Sequence, residues 1–250
     1  MKIHPRLIPV GIVVVAVALG VGFQQASRRP AVVADPLIEG FRKSTVASVS
    51  DAVDQVVGVR GFMSHDMAPR IPGKIVGRAT TAILKPAPPE AATPTLSAKH
   101  SVAMIDEAKP GDVGVIVVEG SLDVAGLGGL MATAAKSRNM AGVILDGGVR
   151  DLAEIRALGL PVYSRSVVPS SSVGRWASVA KDIEVQCAGV RVRPGDIIVA
   201  GEDGVVVVPQ ERAQEVLKRA QEIDERETKM VPFIKQYRSL TKAIEVFNRI

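Results

Sequence analysis

Apolar positions fall into two periods along the chain. Between residues 45 and 57, Val46, Val49, Val53 and Val56 recur at three- and four-residue spacing, with Ser44 or Thr45 available as a cap. That is one face of a helix. A shorter helical pattern occupies residues 36–43, and residues 75–84 read as a strand that ends in the proline-rich stretch 85–94, a loop. An alternation follows. The pattern predicts a short helix over 102–108, a turn at Pro110-Gly111-Asp112 and a buried strand over 113–118. It then predicts a helix over 127–138, a buried strand over 142–145, a helix over 152–158 and a strand over 161–163. Apolar runs joined by helical segments predict a parallel sheet with right-handed crossovers. Residues 183–208 are β-rich, with turns at Arg193-Pro194-Gly195-Asp196 and Gly201-Glu202-Asp203-Gly204, and Val205-Val206-Val207-Val208 reads as a buried strand. From Gln210 the pattern is a long charged helix with a break near Pro232.

Ahead of this body, residues 7–23 carry no charge and follow Lys2 and Arg6. A basic stretch before an apolar run is the pattern of a signal peptide, and the run is near the lower length of a membrane span. Both outcomes stay open: export with cleavage, or retention in the inner membrane through residues 7–23. The expected locations are accordingly exported, periplasmic or inner-membrane anchored. The division of the chain is 1–29 leader or anchor, 30–43 linker and short helix, 44–220 the main domain, and 221–250 a helical tail.

Composition changes this picture in three ways. Of the net charge of +5, four charges (Lys2, Arg6, Arg28, Arg29) lie in residues 1–29, so the body is close to neutral. With aromatics at 3%, base-stacking platforms are scarce as well, and no nucleic-acid partner is expected. The single cysteine, Cys187, cannot form an intrachain disulfide and sits in an apolar stretch, which reads as a buried structural thiol.

The run from Gly142 to Asp151 carries the candidate chemistry. A strand is expected to stop at Gly147-Gly148 and restart as a helix, delivering Arg150 and Asp151 side by side. An arginine can grip a carboxylate bidentately, and a carboxylate can hold a hard divalent cation. The plainer alternative is a salt bridge from Arg150 and a helix cap from Asp151.

These residues resemble a known family. Ser48-Val49-Ser50-Asp51-Ala52-Val53, Pro110-Gly111-Asp112, residues 141–151, Leu158-Gly159-Leu160-Pro161-Val162-Tyr163, Val192-Arg193-Pro194-Gly195-Asp196 and residues 202–209 are similar, in this order, to the RraA-like family. That family includes class II 4-hydroxy-4-methyl-2-oxoglutarate aldolases and the regulator of ribonuclease activity A. The resemblance covers about residues 44–220. It implies an α/β fold of the swivelling β/β/α type and a homotrimer or hexamer with sites between subunits. It also implies a small keto acid as substrate and Mg²⁺, or another divalent cation such as Mn²⁺, as cofactor. In those aldolases the arginine binds the pyruvoyl carboxylate and enolate and the aspartate holds the metal through waters. These roles fall on Arg150 and Asp151, with the Leu130 and Met131 amides beside the anion.

The pattern departs at one position. The aldolases carry an acid where this chain has Gly129, within Gly126-Leu127-Gly128-Gly129-Leu130-Met131. That acid helps a water take the substrate hydroxyl proton, and glycine cannot do so. The glycines either open a helix N-terminus to an anion or permit close packing. Glu119 and Asp123 are the nearest acids and the candidates to replace the base. The expectation is a divalent-metal-dependent carbon–carbon lyase in which oxaloacetate decarboxylation outlasts retro-aldol cleavage. The rival is a non-catalytic anion- or protein-binding member.

Other polar residues read as structural. His65 and His100 lack metal-ligand spacing and are expected in loops or caps, Ser170-Ser171-Ser172 in a turn, Glu202 and Asp203 in a hairpin turn, and Asp146 in shaping the Gly147-Gly148 turn.

Overall fold

The computed structural model describes residues 35–248. The apolar run 7–23 and the residues that follow it to 34 lie outside them. Among the described residues no helix is long and apolar enough to cross a membrane.

Two capped helices come first, α1 (Pro36–Lys43) and α2 (Val46–Val57). Asp35 accepts the Leu37 N–H at 3.0 Å and Thr45 accepts the Ser48 N–H at 3.1 Å. Each satisfies a donor that the helix start leaves open. After β1 (Ala68–Ile71) and the long β2 (Ile75–Pro86), the chain alternates: α3 (Pro94–Glu107), β3 (Val113–Val118), β4 (Ala125–Leu127), α4 (Gly129–Ser137), β5 (Gly142–Val149), α5 (Leu152–Leu158) and β6 (Val162–Val167). Strands β2, β3, β5 and β6 are neighbours and pair in parallel, as the alternation predicts.

Antiparallel strands extend this centre. β1 pairs with β6 at one edge, and β7 (Trp176–Lys181) pairs with the second half of β2. A small hairpin, β8 (Val185–Cys187) and β9 (Val190–Val192), pairs only with itself. β10 (Ile197–Gly201) pairs with the first half of β2, and β11 (Gly204–Val208) returns along β10 through the two-residue turn Glu202-Asp203. The chain ends in α6 (Ala213–Tyr237) and α7 (Leu240–Phe247).

Alternation along the strands sorts the core. Val113, Val115 and Val117 pack toward the β8–β9 hairpin, while Ile116 and Leu145 pack under Met104 of α3, Ala132 of α4 and Ile155 of α5. A third cluster joins Phe41, Val49 and Val53 to Val216 and Ala220 over β10 and β11. The core is aliphatic, as a chain with few aromatics requires.

Five expectations need correction. α3 begins at Pro94 instead of residue 102. Its first-turn proline needs no N–H partner, and Thr93 accepts the Leu96 N–H at 3.3 Å. Residues 125–127 form β4, so the next helix starts two residues later than expected, at Gly129. β5 does not stop at residue 145. Its register with β6 shifts between Leu145 and Gly148 and then resumes to Val149, so the glycines make a bulge and not a turn. α6 continues through Pro232 and ends at Arg238, which takes φ 49°. Phe233 packs against Tyr237 at 4.6 Å and Phe247 at 5.6 Å, contacts that offset the backbone hydrogen bond a proline removes. His100 lies inside α3, away from any loop or cap.

Gly77 marks the closest approach in the sheet. A Cβ there would lie 2.0 Å from the Gly111 carbonyl oxygen and 3.0 Å from Val113 Cγ2. Backbone cannot step aside as a side chain can. Gly77→Ala is expected to destabilise the fold by about 2–3 kcal/mol, read from the urea unfolding midpoint.

Candidate functional site

Arg150 and Asp151 are the whole connection between β5 and α5. β4 lies alongside, with Leu127 paired to Val149 and the Arg150 N–H donating to the Leu127 carbonyl at 3.1 Å. Because α4 follows β4 after one residue, this pairing sets the N-terminus of α4 beside the end of β5.

Asp151 has a left-handed backbone, φ 59° and ψ 41°. Aspartate tolerates this region better than most residues. By position it caps α5, yet its side chain makes no cap bond to that helix. Instead Oδ2 accepts the Gly129 N–H at 2.9 Å, at the start of α4. The carboxylate thus sits at a second helix's positive end. Oδ1 forms no hydrogen bond among the described residues. Arg150 Nε lies 3.8 Å from the same Oδ2, with the two side chains 41% and 43% exposed. Such a pair is weak, and the Arg150 Nη groups make no hydrogen bond among the described residues.

The three glycines separate by role. A Cβ on Gly126 would stand 2.9 Å from Val118 Cγ2, so that glycine serves packing. A Cβ on Gly128 would stand 2.8 Å from Asp151 Oδ2 and 3.1 Å from Arg150 Nε, so its absence lets both charged groups close over the backbone. A Cβ on Gly129 would meet nothing nearer than 3.5 Å, ordinary contact with Asp151 and Glu154.

The predicted site residues therefore come together. The amides of Leu130 and Met131 precede the first intrahelical bond, from Ala132 N–H to the Gly128 carbonyl at 3.0 Å, and have no intrahelical acceptor. The Leu130 side chain is 90% exposed. Met131 lines a cavity of about 120 Å³ with Arg150, Gly128, Ser97, Ser101 and Ser172. Glu119 and Asp123 do not join them. Glu119 pairs with Lys85 at 3.4 Å, the Asp123 N–H is held by Ser121 Oγ at 3.0 Å, and neither is among the nearest neighbours of position 129. The acid there is Glu154, whose only sequence signal is its place three residues after Asp151 on a helix.

Among the described residues no group of three His, Cys, Asp or Glu side chains could cage a metal ion. One exposed carboxylate with a free oxygen fits a hydrated divalent cation such as Mg²⁺ and does not fit a dehydrated protein cage.

Elsewhere, Asp146 shapes no turn. It accepts from Arg165 at 2.9 Å and from the Ala188 N–H at 2.5 Å, tying β5 to β6 and the β8–β9 hairpin. Cys187 is buried, and desolvation pushes its thiol well above the usual range, which leaves it inert. His65 sits in the loop before β1 and lines a separate cavity. Ser170 to Ser172 do not themselves form the expected turn, which lies at 173–175; they join β4, through a bridge between Ser171 and Ala125 and the Ala125 N–H donating to the Ser170 carbonyl at 3.1 Å.

Residues 46–207 match the model of the RraA-like family, described as Aldolase/RraA. A protein of Halalkalibacterium halodurans named "Putative 4-hydroxy-4-methyl-2-oxoglutarate aldolase" is 36% identical over 115 residues, 46% of this chain and 54% of that relative. An uncharacterized protein of Methanocaldococcus jannaschii is 39% identical over 119 residues, 47% of this chain and 56% of its own length. The chain thus spans little more than half of these curated relatives. Among solved structures, Streptomyces coelicolor RraAS2, described as an unusual member of the RNase ES inhibitor RraA protein family, superposes with a TM-score of 0.69 at 28% identity. That match covers 78% of this chain and 95% of the other. An uncharacterized protein from Pseudomonas syringae reaches a TM-score of 0.76 at 27% identity, over 86% and 95% of the two chains.

The Asp151 contact makes a two-variant prediction. Asp151→Asn keeps an oxygen acceptor and a residue at ease in the left-handed region, so it should cost under about 1 kcal/mol. Asp151→Ala loses both and should cost about 2–3 kcal/mol. Urea denaturation of the two variants measures the difference.

Proposed function

The chain belongs to the RraA-like family, and on that premise we propose that it is a divalent-metal-dependent carbon–carbon lyase acting on small pyruvoyl-type keto acids. The observation that supports this most is the Asp151 carboxylate held on the Gly129 N–H, beside Arg150 and the unpartnered amides of Leu130 and Met131. A keto acid offers a carboxylate next to a carbonyl. The Arg150 guanidinium suits the carboxylate as a planar fork, and the amides at the α4 N-terminus add donors to the same anion. Cleavage beside the carbonyl leaves an enolate, and Arg150 stabilises that developing charge. A cation held by Asp151 through waters would supply further positive charge at the carbonyl oxygen.

Gly129 narrows the reaction. Retro-aldol cleavage must remove a proton from the substrate hydroxyl, and position 129 has no side chain to assist. Decarboxylation of oxaloacetate releases carbon dioxide and leaves the same pyruvate enolate without that proton transfer. The reading is therefore decarboxylation above aldol cleavage, although curated relatives carry the aldolase name. Family membership supports a homotrimer or hexamer, in which a second copy would cover the exposed Leu130. The uncharged run 7–23 after Lys2 and Arg6 supports a location outside the cytoplasm or at the inner membrane. Gly129 also supports a second reading, a non-catalytic member whose pocket binds an anion or a protein.

Pyruvate release from oxaloacetate by the full chain, with Mg²⁺ and with EDTA, separates these readings. Turnover should need the metal and fall at least about 100-fold in Arg150→Ala, the size of losing one preorganised donor. A rate no higher than the free metal produces would favour the binding member. Gly129→Asp, for which the Cβ has room, should raise retro-aldol cleavage relative to decarboxylation at least about tenfold. Equal rates of both reactions in the unmodified chain would refute the preference.

A further inference from the structure

A further cavity, of about 340 Å³, lies between α2, β11 and the β8–β9 hairpin. It shares no lining residue with the cavity at Arg150. Its floor is apolar, formed by Val53, Val190 and Val207, and three arginines line it: Arg60, Arg191 and Arg193. Distant parts of the sequence bring them together, and each is held differently.

Arg60 stands 4.5 Å over the Phe62 ring and donates from Nε to the Phe62 carbonyl at 2.9 Å. Stacking and that bond fix the guanidinium, and its Nη groups make no hydrogen bond among the described residues. Arg191 lies on the outer face of β9, opposite Gln186 of β8, and its nearest carboxylate, Glu184, is 4.0 Å away. Arg193 is clamped by both oxygens of Glu211 at 2.6 Å, while its Nε is buried with no hydrogen-bond partner among the described residues. An unpaired buried donor is costly and rare. The one carboxylate in the lining, Asp196, is 2% exposed and already accepts from the Arg193 and Gln210 N–H groups, at 2.8 and 3.1 Å. Glu211 offsets Arg193 and Glu184 offsets Arg191 in part, whereas Arg60 has no carboxylate partner among the described residues.

We propose that this cavity is a second binding site, for a small organic anion with a carboxylate or phosphate head and an apolar body. Arg60 and Arg191 hold the head and the valine floor takes the body. The volume is at the lower end of small-molecule sites. The proposal does not depend on the lyase reading.

Isothermal titration of the full chain at constant ionic strength tests it, with phenyl phosphate, benzoate and inorganic phosphate as probes. One of the two aromatic anions should bind saturably, one per chain, and more tightly than inorganic phosphate. Preference for phenyl phosphate assigns a phosphate head, and preference for benzoate a carboxylate head. The double variant Arg60→Gln, Arg191→Gln should weaken binding at least about tenfold with an unchanged melting temperature, since both side chains are exposed. Arg150→Ala should leave it unaltered. The proposal is overturned by no saturable binding of either aromatic anion, or by inorganic phosphate binding as tightly as they do. It is equally overturned by binding indifferent to the double variant or abolished in Arg150→Ala.

Discussion

The site depends on one strained residue making one hydrogen bond. A left-handed backbone costs a non-glycine residue about 1–2 kcal/mol, less for aspartate. Against that stand a charge-assisted bond to the Gly129 N–H, worth about 1.5–3 kcal/mol, and a helix-end interaction of about 0.3–1 kcal/mol. The balance favours the observed arrangement. In the usual capping conformation Asp151 would turn its carboxylate onto the first amides of its own helix. The left-handed turn aims it at α4 instead and leaves an oxygen outward. Two helix N-termini and one arginine are organised by that choice.

The sheet makes the arrangement possible. β3 pairs with β5 only as far as Val117 and Asp146. Beyond that point β5 passes through its glycine bulge, and β4 takes the neighbouring place at Gly148 and Val149. A three-residue strand thereby delivers α4 to the far end of β5. The bulge is pinned from the other side. Asp146 holds Arg165, and Arg165 also reaches Asp66 at 2.9 Å. The Ser64 hydroxyl, followed by Arg165, keeps the Asp66 carboxyl below its ordinary range, so this tie is fully charged at neutral pH.

What could be read from the residues follows from range. The parallel centre was legible because each apolar run has its own period, and Arg150 and Asp151 were legible as a pair because they are adjacent in the chain. The partner of Asp151 lies 22 positions away, and nothing local signals it. Gly147-Gly148 reads as a turn because glycines usually mark turns, and only pairing to β6 on both sides makes it a bulge. Pro94 reads as loop because it closes a proline-rich stretch, although proline is welcome in a first helical turn. β4 is too short to show a period. The three arginines of the further cavity come from positions 60, 191 and 193, which only the packing of the hairpin against α2 and β11 unites.

Gly129 is the position where fold and chemistry come apart. Its backbone N–H anchors Asp151, a task any residue but proline can perform. Its missing side chain answers no packing demand, because a Cβ would sit at ordinary contact distance. Gly126 and Gly128 differ, since a Cβ there, at 2.9 Å from Val118 and 2.8 Å from Asp151 Oδ2, would force the facing side chain to shift. A glycine opening a helix also carries an entropic penalty of roughly 0.5–1 kcal/mol relative to alanine. Packing does not dictate the residue, and stability argues mildly against it. What remains is its effect on the site. An acid at 129 would stand beside Asp151 and Glu154 and add a third carboxylate to one small region, and glycine avoids that repulsion. On the proposed reading, the chain keeps every group that binds a keto acid and steadies an enolate, and lacks the one that removes a hydroxyl proton. Such a site can break a bond to a carboxylate but has no residue at this position to begin an aldol cleavage.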